Sequence, residues 1–356
     1  MTDSSAAADP KLLRAALSRG VYFHAVGGKL THNAGCLVEG LLDLGIPARL
    51  SAGEFTSRPV SMPLSGVDTA AMVSPPYGDF SAYVIDISHT NAVSPFEGVE
   101  AGRLIYLNQS DVATFCETPK TSPMFATHEN RFISKGGRRL PLAFGLSKSL
   151  IAATEHRPAF SSRKRQALRN FRPTLNQSLR ALLDITYVPH LEAHMPIDRR
   201  ILSPAAYLDS LLNSAVCLAY GGGFYSTITD NPWFAKNAPD LLATHHFART
   251  EAPAFVLRWD SWRFWESLAA GCVTVQLDFE KYGLALPVMP TAWEHYVPLD
   301  LDDIAGSAAA LMDRAGEWEA IAEQGRAWAL THYAPAPTAQ YVLASALGSS
   351  LGLVAP

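Results

Sequence analysis

The chain has 356 residues, too many for one hydrophobic core of ordinary size, so two domains of roughly 150–180 residues are expected. Hydrophobic residues make up 48% and charged residues only 17%, which excludes a disordered chain and suits compact enzyme domains. A net charge of −4 argues against a general nucleic-acid binder, and no stretch reaches the roughly 18 apolar residues of a membrane span, so a soluble cytoplasmic protein is expected.

The first ten residues carry no leader pattern and read as a mobile tail. Residues 21–26 (VYFHAV) are an apolar strand. Gly27, Gly28 and Lys29 then turn the chain into residues 32–45, where Leu37, Val38, Leu41, Leu42 and Leu44 mark an amphipathic helix closed by Gly45. Residues 46–53 (IPARLSAG) are the next strand, a doubly wound start that lacks the GxGxxG spacing of a dinucleotide enzyme. After a Pro-, Ser- and Gly-rich stretch over 57–79, residues 81–90 and 102–111 are strands with polar ends. Those ends bring Asp86, His89, Asn91, Asn108 and Asp111 to the carboxyl edge of a parallel sheet, or merely cap turns there. Residues 117–139, with His128, Glu129, Asn130 and Arg131, lack periodicity and read as a long loop over an acceptor. A strand and helix in 141–156 lead to a domain boundary near 157–162.

Residues 164–171 (KRQALRNF) are a strand with Lys164 and Arg165 near its start and Arg169 and Arg172 near its end. Residues 203–213 are a helix, and 214–220 a strand that runs into Gly221, Gly222 and Gly223, a run permitting close approach to a ligand. His245 and His246 have no spaced partner, and Cys36, Cys116, Cys217 and Cys272 have no zinc spacing and read as buried, reduced thiols. Residues 253–277 (PAFVLRWDSWRFWESLAAGCVTVQL) read as strand, helix and strand in one βαβ unit. Asp260 or Ser261 caps the helix and Gly271 ends it. Trp262, Trp265 and Leu268 make its buried stripe, and Arg263 and Glu266 share another face. At a sheet's carboxyl edge a helix N-terminus favours anions, an arginine forks onto phosphate, and a carboxylate one turn later accepts sugar hydroxyls. The competing reading is an ordinary surface pair at i, i+3. Helices follow over 300–314, capped near Asp302 or Asp303, and over 316–333 and 338–354. Asp300-Leu301-Asp302 is read as a cap, not a metal-binding DxD.

The string SWRFWESLAAGCVTVQLD, followed by TAWEHYVPLDLDD and a helix, comes after RKRQALRNFRPTLNQSLRALL and YLDSLLNSAVCLAYGG. This order resembles the C-terminal half of GT-B glycosyltransferases, particularly the exostosin-like and related bacterial groups, over about residues 160–333. The resemblance implies an α/β fold of GT-B type, with two Rossmann-like doubly wound domains facing a central cleft. Residues 1–160 would bind an acceptor, 161–333 a nucleotide-sugar, and 334–356 would form a helix crossing back to the N-terminal domain. It implies a bacterial transferase moving a sugar from a nucleotide-diphosphate donor to a hydroxyl of a glycan or natural product. Arg263, Glu266, Lys164, Arg165, Arg172, Gly222 and Ser261 would stand at the donor. No metal and no cofactor are expected, since cationic groups can hold the leaving diphosphate. Many retaining relatives carry a second glutamate eight positions before the one matching Glu266; Arg258 stands there, which favours inversion by a general base. His32, at a helix start that favours neutral imidazole, is the first choice, Asp86 the second and His24 the third. The alternatives are a sugar-nucleotide 2-epimerase of the same fold, acting without an acceptor, and a catalytically silent partner subunit. Oligomeric state is open.

Overall fold

The computed structural model describes residues 9–56, 59–76, 78–87, 95–109, 121–131, 138–171, 178–221, 223–225 and 255–348. It forms two compact units. The first comprises Met1–Thr127, Lys135–Ile151 and Thr331–Pro356, the second His128–Ser134 and Ala152–Leu330, so the chain changes unit at 127–128, 134–135, 151–152 and 330–331.

The first unit holds six parallel strands: β1 (Val21–Ala25), β2 (Ala48–Leu50), β3 (Ala82–Ile87), β4 (Leu104–Asn108), β5 (Met124–Ala126) and β6 (Arg139–Pro141). Their order is β2-β1-β3-β4-β5-β6. The inner strands β3, β4 and β5 are buried throughout and are apolar runs, while the edge strands β2 and β6 are partly exposed at Arg49 and Arg139. Asp9 caps helix α1 (Pro10–Ala16), so residues 9 and 10 are part of the fold and not of a tail. Helix α2 (His32–Asp43) is capped by Thr31, whose hydroxyl accepts from the Ala34 N–H. Helix α3 is Lys148–Ala153. The last helix, Pro335–Leu347, packs on α2 and buries Ala339, Val342 and Leu343 in the core around β1 and β3. Gly40 makes room for it: a Cβ there would lie 2.1 Å from the Pro335 carbonyl oxygen.

The second unit has five parallel strands: β7 (Lys164–Leu168), β8 (Ile197–Asp198), β9 (Ser214–Leu218), β10 (Val273–Leu277) and β11 (Val297–Leu299), in the order β8-β7-β9-β10-β11. Its helices are α4 (Ser178–Glu192), α5 (Pro204–Asn213), α6 (Trp262–Ala270), α7 (Ile304–Asp313) and α8 (Trp318–Tyr333). Each sheet reverses its strand order beside its first strand, between β1 and β3 and between β7 and β9. Such a switch point is where open parallel sheets bind ligands, outside the strands' carboxyl ends.

The expected βαβ unit at 253–277 is not one. Phe255–Leu257 pairs antiparallel with Gly223–Tyr225 in a separate ribbon, because both edges of β10 are already taken by β9 and β11. Nor is the stretch 128–131 a loose loop. The Asn130 amide donates to the Tyr282 carbonyl at 2.8 Å, the Arg131 N–H to Gly283 at 2.7 Å, and Trp259 Nε1 to the Glu129 carbonyl at 3.0 Å.

At the C-terminus of α6, Gly271 takes the left-handed conformation (φ 67°). The buried Arg163 guanidinium donates there to the Gly271 carbonyl at 2.6 Å and the Ala270 carbonyl at 2.8 Å. Such donors answer the helix's unpaired carbonyls and its negative end. Arg163→Met keeps the stem and removes the donors, and should cost about 2–3 kcal/mol in urea unfolding with an unchanged m-value. An unaltered midpoint would show that the cap contributes nothing.

Candidate functional site

In the second unit the first turn of α6 is tied to both strands of the switch point. Ser261, its N-cap, donates its hydroxyl to the Ala219 carbonyl just beyond β9 at 2.8 Å and accepts from the Phe264 N–H at 3.4 Å. Arg263 Nε donates to the carbonyl of Asn170, two residues beyond β7. This arginine is half-buried and anchored across the divergence of the two strands. The Ser261 hydroxyl, expected at a ligand, is instead used by the fold.

Two further arginines, Arg169 just beyond β7 and Arg180 of α4, belong to the same edge. Arg169 meets the Asp184 carboxylate through Nε and Nη2, both at 2.6 Å, and its Nη1 donates to the Phe171 carbonyl at 3.0 Å. Arg180 Nε lies 3.5 Å from the Tyr220 carbonyl oxygen, and its guanidinium stands 5.6 Å from the Phe171 ring. Arg180 was not singled out from sequence. The four-residue spacing of Leu179, Leu183, Tyr187 and Leu191, all buried, was the available signal for its helix.

Glu266 departs from both sequence readings. It is 1% exposed, and its Oε2 accepts from the Tyr207 hydroxyl of α5 at 2.6 Å. Burial, and then the Glu266 charge, push the Tyr207 phenol well up. The carboxylate is therefore an interior group, held by the Tyr207 hydroxyl, and not part of a solvent-exposed helix face. Helix α6 is buried all round from Phe264 onward, and Trp262 is the residue of its expected stripe that stays partly exposed.

Lys164 and Arg165 stand at the amino end of β7, roughly 13 Å of strand from the carboxyl edge. Arg165 lies there over the Trp318 ring at 5.2 Å. Strand direction thus separates both from Arg263. Arg172 and Gly222 lie outside the described residues, as do His89, Asn91, Asp111, Cys116, His245 and His246. Gly221 admits the chain's own backbone and not a ligand: a Cβ there would sit 2.4 Å from the Trp259 Cα and carbonyl oxygen.

A strained corner adjoins α6. Arg258 (φ 55°) and His128 (φ 58°) both occupy the left-handed region, which costs such residues of order 1 kcal/mol or more. The Asp260 N–H donates to His128 Nδ1 at 3.1 Å, so the neutral ring carries its proton on Nε2. Asp260 Oδ1 in turn accepts from Trp265 Nε1 at 2.7 Å. Sequence inspection placed His128 in a loop and missed this link.

In the first unit His32 and Asp86 meet at the start of α2. The Asp86 carboxylate accepts from the N–H and the hydroxyl of Thr31, and burial outweighs those bonds to push the carboxyl up to about 7. His32 has no exposed surface; its Nε2 lies 3.2 Å from Cys36 Sγ and its ring bonds the Phe144 backbone. Burial lowers it to about 3, so the imidazole is neutral at pH 7. His24 is partly buried, 5.6 Å from the Phe96 ring, and burial lowers it too.

Asp300 and Asp302 hold Lys281, at 2.5 and 2.7 Å, and the cap of α7 is Asp303, which accepts from the Gly306 N–H at 2.9 Å. Cys36, Cys217 and Cys272 are buried and free of disulfides. No helix among the described residues is long and apolar enough to cross a membrane.

No protein-family model matches the chain, and no curated protein does. Among solved structures, an alpha-glucosyltransferase in complex with UDP and a 13-mer DNA containing a HMU base is similar with a TM-score of 0.50. Identity is 9%, over 94% of this chain and 98% of that one. The chain shares that fold. Another alpha-glucosyltransferase structure, with UDP and a 13-mer DNA containing a central A:G mismatch, has a TM-score of 0.48 at 10% identity over 88% and 95%. A glycosyltransferase from Rickettsia africae ESF-5 has 0.44 at 9% identity over 92% and 97%.

Proposed function

We propose that the chain is a glycosyltransferase of GT-B type that binds a nucleoside diphosphate-sugar at the carboxyl edge of the second unit's sheet. The observation that carries this reading is Arg263, fastened through Nε to the Asn170 backbone at the switch point between β7 and β9. A guanidinium held there suits a diphosphate, and the start of α6 adds the favourable end of a helix dipole. The UDP named with the solved structure of the same fold supports the same ligand class. Its DNA is not carried over, since a chain of net charge −4 is a poor match for a polyphosphate.

In the proposed reaction the arginines stabilise the departing diphosphate without a metal, and a hydroxyl of an acceptor held by the first unit attacks with inversion. Asp86 is the proposed base in place of His32: it stands at the carboxyl end of β3, its carboxylate oriented by the Thr31 N–H and hydroxyl, whereas the His32 ring is turned onto Cys36 and the Phe144 backbone.

A melting panel of UDP, GDP, dTDP, CMP and NAD on the native chain, Arg263→Ala and Arg263→Lys tests the donor site. One nucleoside diphosphate at a hundredfold excess over its Kd should stabilise the native chain by about 2.7 kcal/mol. The effect should vanish in the alanine variant and weaken in the lysine variant, which keeps the charge but not the fork. Stabilisation by none of the diphosphates would remove the donor reading.

A further inference from the structure

Glu266 is a carboxylate in a largely apolar interior, with Phe264, Trp265, Leu268, Ala269 and Ala270 buried around it on α6. A carboxylate taken out of water is costly unless hydrogen bonds or opposite charge answer it. Well-packed apolar side chains often do as well or better in such a place, so stability alone gives no reason for this one.

The answering groups come from two elements. Tyr207, near the start of α5, donates its buried hydroxyl to Glu266 Oε2 at 2.6 Å, a short bond of the charge-assisted kind. Arg263 stands three residues before Glu266 on the same side of α6. Burial pushes the Tyr207 phenol and the Cys217 thiol of β9 well up, the Glu266 charge adds to this at both, and the Arg263 guanidinium draws both back. Charges act on the same two groups only from close by, so Arg263, Glu266, Tyr207 and Cys217 form one cluster beneath α5 and α6. Outside it, Arg263 Nε is fastened to the Asn170 carbonyl. A guanidinium is a flat fork, and a carboxylate of fixed position near it, together with that bond, leaves the fork one orientation.

We infer that the Tyr207 hydroxyl, acting through the Glu266 carboxylate, sets the pose of the Arg263 guanidinium and with it, on the donor reading above, the affinity of the chain for a diphosphate. Tyr207 is thus a positioning residue, one step removed from the ligand. Glu266 serves the arginine from within and presents nothing to a sugar.

Tyr207→Phe keeps the ring and removes the hydroxyl. Two measurements on the full chain test its role: the NMR resonance of the Arg263 Nε–H, identified by its absence from Arg263→Lys, and the Kd of whichever of UDP, GDP and dTDP binds the native chain most tightly. The resonance should move, and the nucleotide Kd should rise about tenfold, the effect of one lost charge-assisted hydrogen bond. On an Arg263→Lys background, which has no fork to hold, the same substitution should change Kd by less than about twofold. Glu266→Gln keeps an acceptor for Tyr207 but not the charge, and should move the same resonance with the tyrosine in place. A resonance that stays put in Tyr207→Phe, or an equal rise of Kd on both backgrounds, would make Tyr207 a packing residue and overturn the inference. A native chain that binds none of the three nucleotides ends the donor reading instead, and the resonance then decides the positioning role without it.

Discussion

Asp86→Asn should make stability fall more steeply toward acid than it does in the native chain. The folded Asp86 carboxyl titrates near 7 against an ordinary 3.8, so its stabilising contribution is complete below 3.8 and is lost as pH rises through 7. His32 runs the other way: lowered to about 3 from 6.5, it contributes fully above 6.5 and loses that contribution as pH falls through 3. Between 3.8 and 6.5 the folded state keeps one proton on Asp86 and refuses one on His32, and the two slopes cancel. Removing Asp86 exposes the His32 slope, about 1.4 kcal/mol per pH unit, or roughly 3 kcal/mol between pH 6.5 and 4. Burial also raises Glu39, but it is common to both proteins and drops out of the difference. Urea unfolding of native chain and variant at pH 4, 5, 6 and 7 measures it, and parallel profiles would refute the cancellation.

Gly221→Ala should destabilise the second unit by about 3 kcal/mol or more. The added methyl would meet the Trp259 Cα and carbonyl oxygen at 2.4 Å and the Arg258 carbonyl oxygen at 2.5 Å, all backbone atoms without a side chain's freedom to turn aside. Relief requires moving residues 258–261, which start α6 and position Arg263, so nucleotide stabilisation should shrink as well. Gly316→Ala is the matched control, since nothing lies within 4 Å of its Cβ and its effect should stay within about 0.5 kcal/mol. Equal losses from both substitutions would separate the effect from this close approach.

Local rules made the strands at 21–25, 82–87, 104–108, 164–168, 214–218 and 273–277 legible, whereas β5 lay in a stretch read as a loop and β8 went unread. Buried parallel strands are apolar runs, and the helices beside them announced themselves through Thr31, Ser261 and Gly271 at their ends. Those rules failed wherever a distant segment decided the outcome. The i, i+3 spacing set Arg263 and Glu266 on one face, but it carried no sign that Tyr207, 59 positions earlier, would cover the carboxylate. Residues 128–131 lack period because their order comes from hydrogen bonds to residues 256–285, which leave no trace in the local pattern. His32 was correctly placed at a helix start, but its enclosure depends on Phe144, more than a hundred residues later.

The last helix gives the chain a particular order of assembly during synthesis. Ala339, Val342 and Leu343 belong to the same apolar core as Val21, Phe23 and Leu37, and the whole of Ala152–Leu330 is translated between them. Ribosomes therefore deliver every strand of the first sheet well before the helix that seals it, while the second unit has all its residues once Leu330 emerges. The nascent first unit must wait with α2 uncovered, leaving that apolar face as the stretch a cellular chaperone would have most reason to shield.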